Sequence, residues 1–166
     1  MKTQRSFTLF LFAVYFALLT WIILFKMQVS LSALQMPAAK LNVIPLAGSG
    51  ANGSVNWNEV VNNILIFLPM GIYPTMLLPE RSFLLKLLPA FLISFAYETL
   101  QFLFRIGVAD STDLLGNTLG AAAGILIFSL FSKLFGEKVH KMITISALVC
   151  TVLAGAFLAL LLLANL

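Results

Sequence analysis

Between residues 98 and 124 the chain concentrates the groups that could do chemistry. Glu98-Thr-Leu-Gln101 is followed by Gly107-Val-Ala-Asp110-Ser-Thr-Asp113 and by Asn117-Thr-Leu-Gly120-Ala-Ala-Ala-Gly124, and Asn63 adds a further carboxamide upstream. Oxygen donors of this kind have three chemical uses. Glu98, Asp110 and Asp113 could ligate a hard cation such as Mg²⁺ or Ca²⁺, with one carboxylate serving as general base. A single buried carboxylate such as Glu98 could couple to proton movement. The whole set could also hydrogen-bond a polar ligand. Each residue has a structural use as well. Asp110 and Asp113 suit the capping position of a helix that starts beside them. Glu98 could be a protonated or paired acid inside a bundle, and Asn117 could tie helices together by donating to a carbonyl or to Glu98.

Several chemistries are excluded. No nucleophile–base pair, no HExxH and no phosphate loop is present. With one cysteine (Cys150) and one histidine (His140), the chain has no disulfide framework and no Cys/His metal cage. No metal or cofactor is assigned, and whether the chain is an enzyme stays open.

The elements that must hold these groups are membrane helices. Of 166 residues 61% are hydrophobic and 10% charged, with a mean hydropathy of +1.04. A soluble domain carries roughly a quarter charged residues. Nothing argues for nucleic-acid binding, and the net charge of +4 matters through its distribution between loops. A spanning helix needs about 20 apolar residues. Five segments qualify: 7–25, 60–78, 83–104, 114–132 and 142–164. The first follows Lys2 and Arg5 as in a signal peptide, but it exceeds the ~7–15 residues of a signal core and reads as an uncleaved anchor. The expected fold is all-α, a polytopic helix bundle forming a single domain over residues 1–166.

Lys and Arg set the orientation. With the N-terminus inside, the inner segments hold Lys2, Arg5, Arg81, Lys86, Lys133, Lys138 and Lys141, against Lys26, Lys40 and Arg105 outside. This predicts N-in, C-out. The long outer loop is expected to carry an interfacial amphipathic helix within 27–41, then a Gly/Ser-rich spacer over 47–54.

Helical periodicity then gathers the polar groups. Glu98, Gln101 and Arg105 fall within about 60° on the third helix, and Asn117, Gly120 and Gly124 within about 40° of Asp113 on the fourth. Glu59 and Asn63 share a face of the second. Glu98 lies ~9 Å from the end of its helix. Asn63, Glu98, Gln101, Asp110, Asp113 and Asn117 are therefore expected to line one outward-facing polar cavity. Gly116, Gly120 and Gly124 form a small-xxx-small ladder for close helix packing, with the third helix as the expected neighbour. His140 is expected among lipid headgroups, Cys150 in the core, Pro69, Pro74 and Pro89 at kinks, and the phenylalanines toward lipid.

Four stretches also resemble the VanZ-like family of bacterial membrane proteins: Asn42-Val-Ile-Pro45-Leu, Asn63-Ile-Leu-Ile-Phe67-Leu-Pro69-Met-Gly71, Glu98-Thr-Leu-Gln101, and Gly107-x-x-Asp110-x-x-Asp113-x-x-x-Asn117-Thr-Leu-Gly120. They stand in the family's order across about residues 40–130. Asn62 and Arg105 fall outside the pattern, Met70 stands where an aromatic is common, and the last helix carries no motif. The resemblance implies a multi-pass protein of the bacterial cytoplasmic membrane. The family's namesake lowers susceptibility to teicoplanin, a lipoglycopeptide that binds cell-wall precursor termini. The expected partners are thus membrane lipids and a lipid-linked cell-wall precursor or lipoglycopeptide at the outer leaflet. A membrane-embedded enzyme using the carboxylates, and a small proton-coupled transporter using Glu98, are the alternatives. No inverted repeat supports the last.

Overall fold

The computed structural model describes residues 2–25, 40–47, 55–106 and 108–164. Five helices dominate: α1 Lys2–Phe25, α2 Trp57–Leu77, α3 Phe83–Phe104, α4 Ser111–Phe135 and α5 Lys138–Ala164. The limits of α3 coincide with the apolar run. The others reach past it, because polar residues complete their terminal turns: α1 begins at Lys2 rather than residue 7, α4 spans 111–135 rather than 114–132, and α5 starts at Lys138 rather than 142. α2 starts three residues early, at Trp57, and ends at Leu77. Among the described residues, four helices are long and apolar enough to cross a bilayer: Gln4–Leu24 within α1, then α2, α3 and α4.

Capping explains the boundaries. The Asn56 side chain accepts from the Glu59 N–H at the start of α2, and Ser82 accepts from Leu85 at the start of α3. α3 stops where Arg105 turns left-handed (φ 56°), and the Ile106 N–H reaches back to the Gln101 carbonyl. Arg105 therefore leaves the helix and does not extend the Glu98–Gln101 face. α4 ends at Gly136 (φ 58°), whose N–H closes on Ser132.

The fold is not wholly helical. β1 (Lys40–Asn42) and β2 (Val108–Asp110) pair in parallel, with Lys40 opposite Val108, Leu41 opposite Ala109 and Asn42 opposite Asp110. The strand takes up the end of the segment expected to be an interfacial helix, whose residues 27–39 lie outside the described residues, as do 48–54 of the spacer and Gly107.

The glycine ladder packs α4 against α2, not against α3 as its spacing alone suggested. A Cβ on Gly120 would strike the Ile64 carbonyl, and one on Gly124 the Leu68 carbonyl; from the other side, one on Gly71 would strike the Ala121 carbonyl. Gly116 is looser, with Asn63 Cβ at 3.4 Å and the Val60 carbonyl at 3.5 Å from such an atom. Residue numbers rise together along both helices, so α2 and α4 run parallel. Their contact is the most extensive between helices.

Around this seam lie two apolar clusters. One joins Leu19, Phe67, Met70, Ala90, Tyr97 and Ala121; the other joins Leu11, Tyr73, Met76, Phe128 and Val139. Phe67 and Phe128 are thus core residues rather than lipid-facing bulk. Pro69 and Pro74 both sit inside α2. Pro69 has no N–H to offer its preceding turn, and in that turn the Ile66 carbonyl accepts from Tyr15 Oη at 2.7 Å. Two other expectations are corrected. Cys150 is exposed rather than in the core. His140, expected in the loop before the last helix, lies within α5, which begins before it, and packs edge-on against Phe128, ring centroids 5.3 Å apart.

Candidate functional site: the polar end of the bundle

The start of α2, the end of α3, the start of α4 and both strands meet at one end of the bundle. Glu98 is buried one and a half turns before the end of α3, and its Oε2 accepts the Asp110 backbone N–H at 2.7 Å. Of the two acids that suited a cap, Asp110 is the N-cap of α4, its Oδ1 accepting from the Thr112 N–H at 2.7 Å, and Asp113 lies in the first turn. Asn42, at the end of β1, donates through Nδ2 to both Asp110 oxygens at 3.1 Å. Its own Oδ1 accepts from the Ile44 N–H. Thr112 Oγ1 in turn accepts the Leu46 N–H at 3.0 Å. Strand β1, strand β2, α3 and α4 are in this way joined by two carboxylates used as acceptors. A buried charge of this kind is stable only when hydrogen bonds replace its hydration.

A second pair stands beside this frame. Asn63 Nδ2 on α2 donates to Asp113 Oδ1 in the first turn of α4 at 2.7 Å. Both residues are only half-buried, whereas Glu98 and Asp110 are buried. Gln101 turns elsewhere: its Nε2 donates to the Ile23 carbonyl at 2.9 Å, satisfying one of the carbonyls that end α1. Asn117 is 1% exposed and donates to Ser94 Oγ at 2.8 Å, one turn of α3 before Glu98. Its bond therefore runs to a hydroxyl, not to a carbonyl or to Glu98. Among the described residues, Asn117 Oδ1 and Ser111 Oγ are the buried side-chain atoms with no partner.

All six residues singled out by spacing thus lie toward one end, but in different settings. Glu98 with Asp110 forms a buried hydrogen-bonded pair and Asn63 with Asp113 a half-buried one. Gln101 and Asn117 serve helix junctions to α1 and α3. Glu98, Asp110 and Asp113 do not gather, among the described residues, into a set placed to share an ion. Spacing missed Asn42 as a functional partner, although it opens one of the motifs quoted above. It also missed Ser94 and Thr112, short hydroxyl residues whose pattern in an apolar helix carries no distinguishing signal. The Thr20–Tyr97 hydroxyl pair at 2.7 Å, joining α1 to α3, was equally invisible.

Four apolar helices around a glycine seam, with hydrogen-bonded acids collected at one end, define a helical integral membrane protein. The comparisons with known proteins narrow the class. The VanZ/LLP1 family model matches residues 12–132, from within α1 almost to the end of α4. Protein VanZ of Enterococcus faecium is 33% identical over 129 residues, a stretch covering 77% of each chain. The chain belongs to the VanZ/LLP1 family. No solved structure matches it. The matched region holds every residue of the polar end and leaves out α5.

Proposed function

We propose that the chain crosses the bacterial cytoplasmic membrane five times, N-in and C-out, and acts at the outer leaflet on a lipid-linked envelope component or lipoglycopeptide. The seven-to-three bias of Lys and Arg supports the orientation, and α5, at 27 residues, has the length for a fifth span. In that orientation the polar end faces outward. The observation that carries the reading is the division of labour among the carboxylates. Glu98 and Asp110 hold the backbone, while the Asn63–Asp113 pair is only half-buried and is the part of this end left open to a ligand. The family resemblance adds the link to lowered teicoplanin susceptibility.

Single cysteines at Ser49 and Glu137 in a Cys150→Ser background, labelled with an impermeant reagent on intact cells, test the orientation. Labelling is expected at Ser49 only; labelling at Glu137 alone overturns it. For the activity, expression in a susceptible Gram-positive host is expected to lower sensitivity to teicoplanin more than to vancomycin, which lacks the acyl chain. Asp113→Asn is expected to fold and to abolish the effect. Equal sensitivity with and without well-expressed protein removes the antibiotic reading.

A further inference from the structure

The segment from Leu41 to Leu46 combines two properties that water does not favour together. Its side chains point out: Val43 is 68% and Ile44 64% exposed, and Leu41 and Leu46 are exposed as well. Its backbone points in. Leu41 and Asn42 belong to the strand paired with β2. Beyond it, the Ile44 N–H goes to Asn42 Oδ1, the Leu46 N–H to Thr112 Oγ1 and the Ala47 N–H to the Ile44 carbonyl. Pro45 has no N–H to satisfy. Every donor from Ile44 to Ala47 is therefore bonded inside the protein while four large apolar side chains face away from it.

Non-helical backbone is tolerated at membrane depth only where protein satisfies its polar groups. In this strap the N–H groups of Ile44 and Leu46 are satisfied in that way, and the helix ends add exposed apolar residues. At the same end of the bundle Trp57 opens α2, Leu103 and Phe104 close α3, and Leu115 begins α4, all exposed. Tryptophan at a helix end is a residue of the membrane–water interface. Exposed apolar residues of the spans and of the strap thus lie at the same end of the bundle.

We infer that residues 41–46 lie in the lipid, with Leu41, Val43, Ile44 and Leu46 among the acyl chains just below the headgroups, so that the strap roofs the polar end with a lipid-facing surface. The occupant is bilayer lipid itself. The inference does not depend on which leaflet the polar end faces or on the ligand it binds.

Nitroxide labels on single cysteines test this in a Cys150→Ser background, with the full chain in nanodiscs of phosphatidylglycerol and phosphatidylethanolamine. Ile44→Cys and Val43→Cys are the primary positions, with Leu41→Cys as a third should either misassemble. Glu80→Cys, in the exposed turn between α2 and α3, is the aqueous reference. At the strap positions, collision with oxygen is expected to exceed collision with a water-soluble nickel chelate severalfold, the reverse of position 80. Nickel accessibility like that of position 80 would overturn the inference. So would low collision with both reagents, because it would mean that protein, from this chain or a second copy, covers the strap.

Discussion

α4 meets its two principal neighbours by opposite means. Toward α2 it presents glycines and a bare backbone, and the contact consists of carbonyls seated where side chains would be. Toward α3 and the strand β2 leading out of it, the contact is made of hydrogen bonds, Asn117 to Ser94 within the helices and Glu98 to Asp110 at their end. Lipid gives two helices no hydrophobic reason to associate, so close packing and polar bonds are the means available. One helix uses each on a separate face. At Gly120 and Gly124 the packed face tolerates no added atoms, and the bond that crosses it, Asn63 to Asp113, lies at the polar end, beyond the tight contact. The bonded face tolerates changes of volume better than it tolerates the loss of a partner.

The largest effect should come from the packed face. Gly120→Leu puts a branched side chain into the Ile64 carbonyl, and backbone rather than a flexible side chain must yield. Overpacking usually costs about 1–3 kcal/mol, and this site should exceed that range. The expected outcome is loss of the folded monomer in detergent by size-exclusion chromatography and thermal unfolding; a wild-type melting profile would place the ladder against lipid instead.

Next comes the bonded face. Glu98→Ala leaves the buried Asp110 N–H without its acceptor, for a penalty of about 1–3 kcal/mol. Glu98→Gln keeps a carbonyl oxygen in place and should lose less than half of that. Equal destabilisation by the two substitutions would show that charge, and not the acceptor, is what the site needs.

The smallest effect sharpens the contrast within the glycine ladder itself. A Cβ at Gly116 meets atoms at ordinary contact distance, and replacing glycine in a helix interior by alanine is worth roughly 0.5–1 kcal/mol in its favour. Gly116→Ala should be neutral or slightly stabilising, while Gly120→Ala is clearly destabilising. Matching losses at the two positions would mean that α2 and α4 approach uniformly along their length.

How much of this could be read from the chain depends on the range of the interaction. The limits of α3 are local, and hydrophobicity reveals them; the cap of α4 is local as well, yet spacing left it between Asp110 and Asp113. The glycine ladder is local too, but the identity of its partner is not. The 3.6-residue period shows that one face of α4 is bare and is silent on which helix fills it; the matching signal, Gly71 on α2, is a single residue. The two strands are three residues each, too short for any alternation to appear. They exist because Asn42 and Asp110, 68 positions apart, find one another. The six polar residues were identifiable by type and helical face. Their sorting into buried frame, half-buried pair and junction residues needed the three-dimensional neighbours.

The parallel course of α2 and α4 has an electrostatic consequence. Parallel helices set their dipoles side by side, with both positive ends at the polar end and both negative ends at the other. That arrangement is self-repelling unless the termini carry counter-charge. Glu59 stands in the first turn of α2, and Asp110 and Asp113 stand at the start of α4. At the opposite end Lys133 lies in the last turn of α4, and Lys86 Nζ donates to the Pro79 carbonyl just past the end of α2. The acids that read as a site, and the lysines that read as a topology signal, are also the charges that let two parallel dipoles lie in contact.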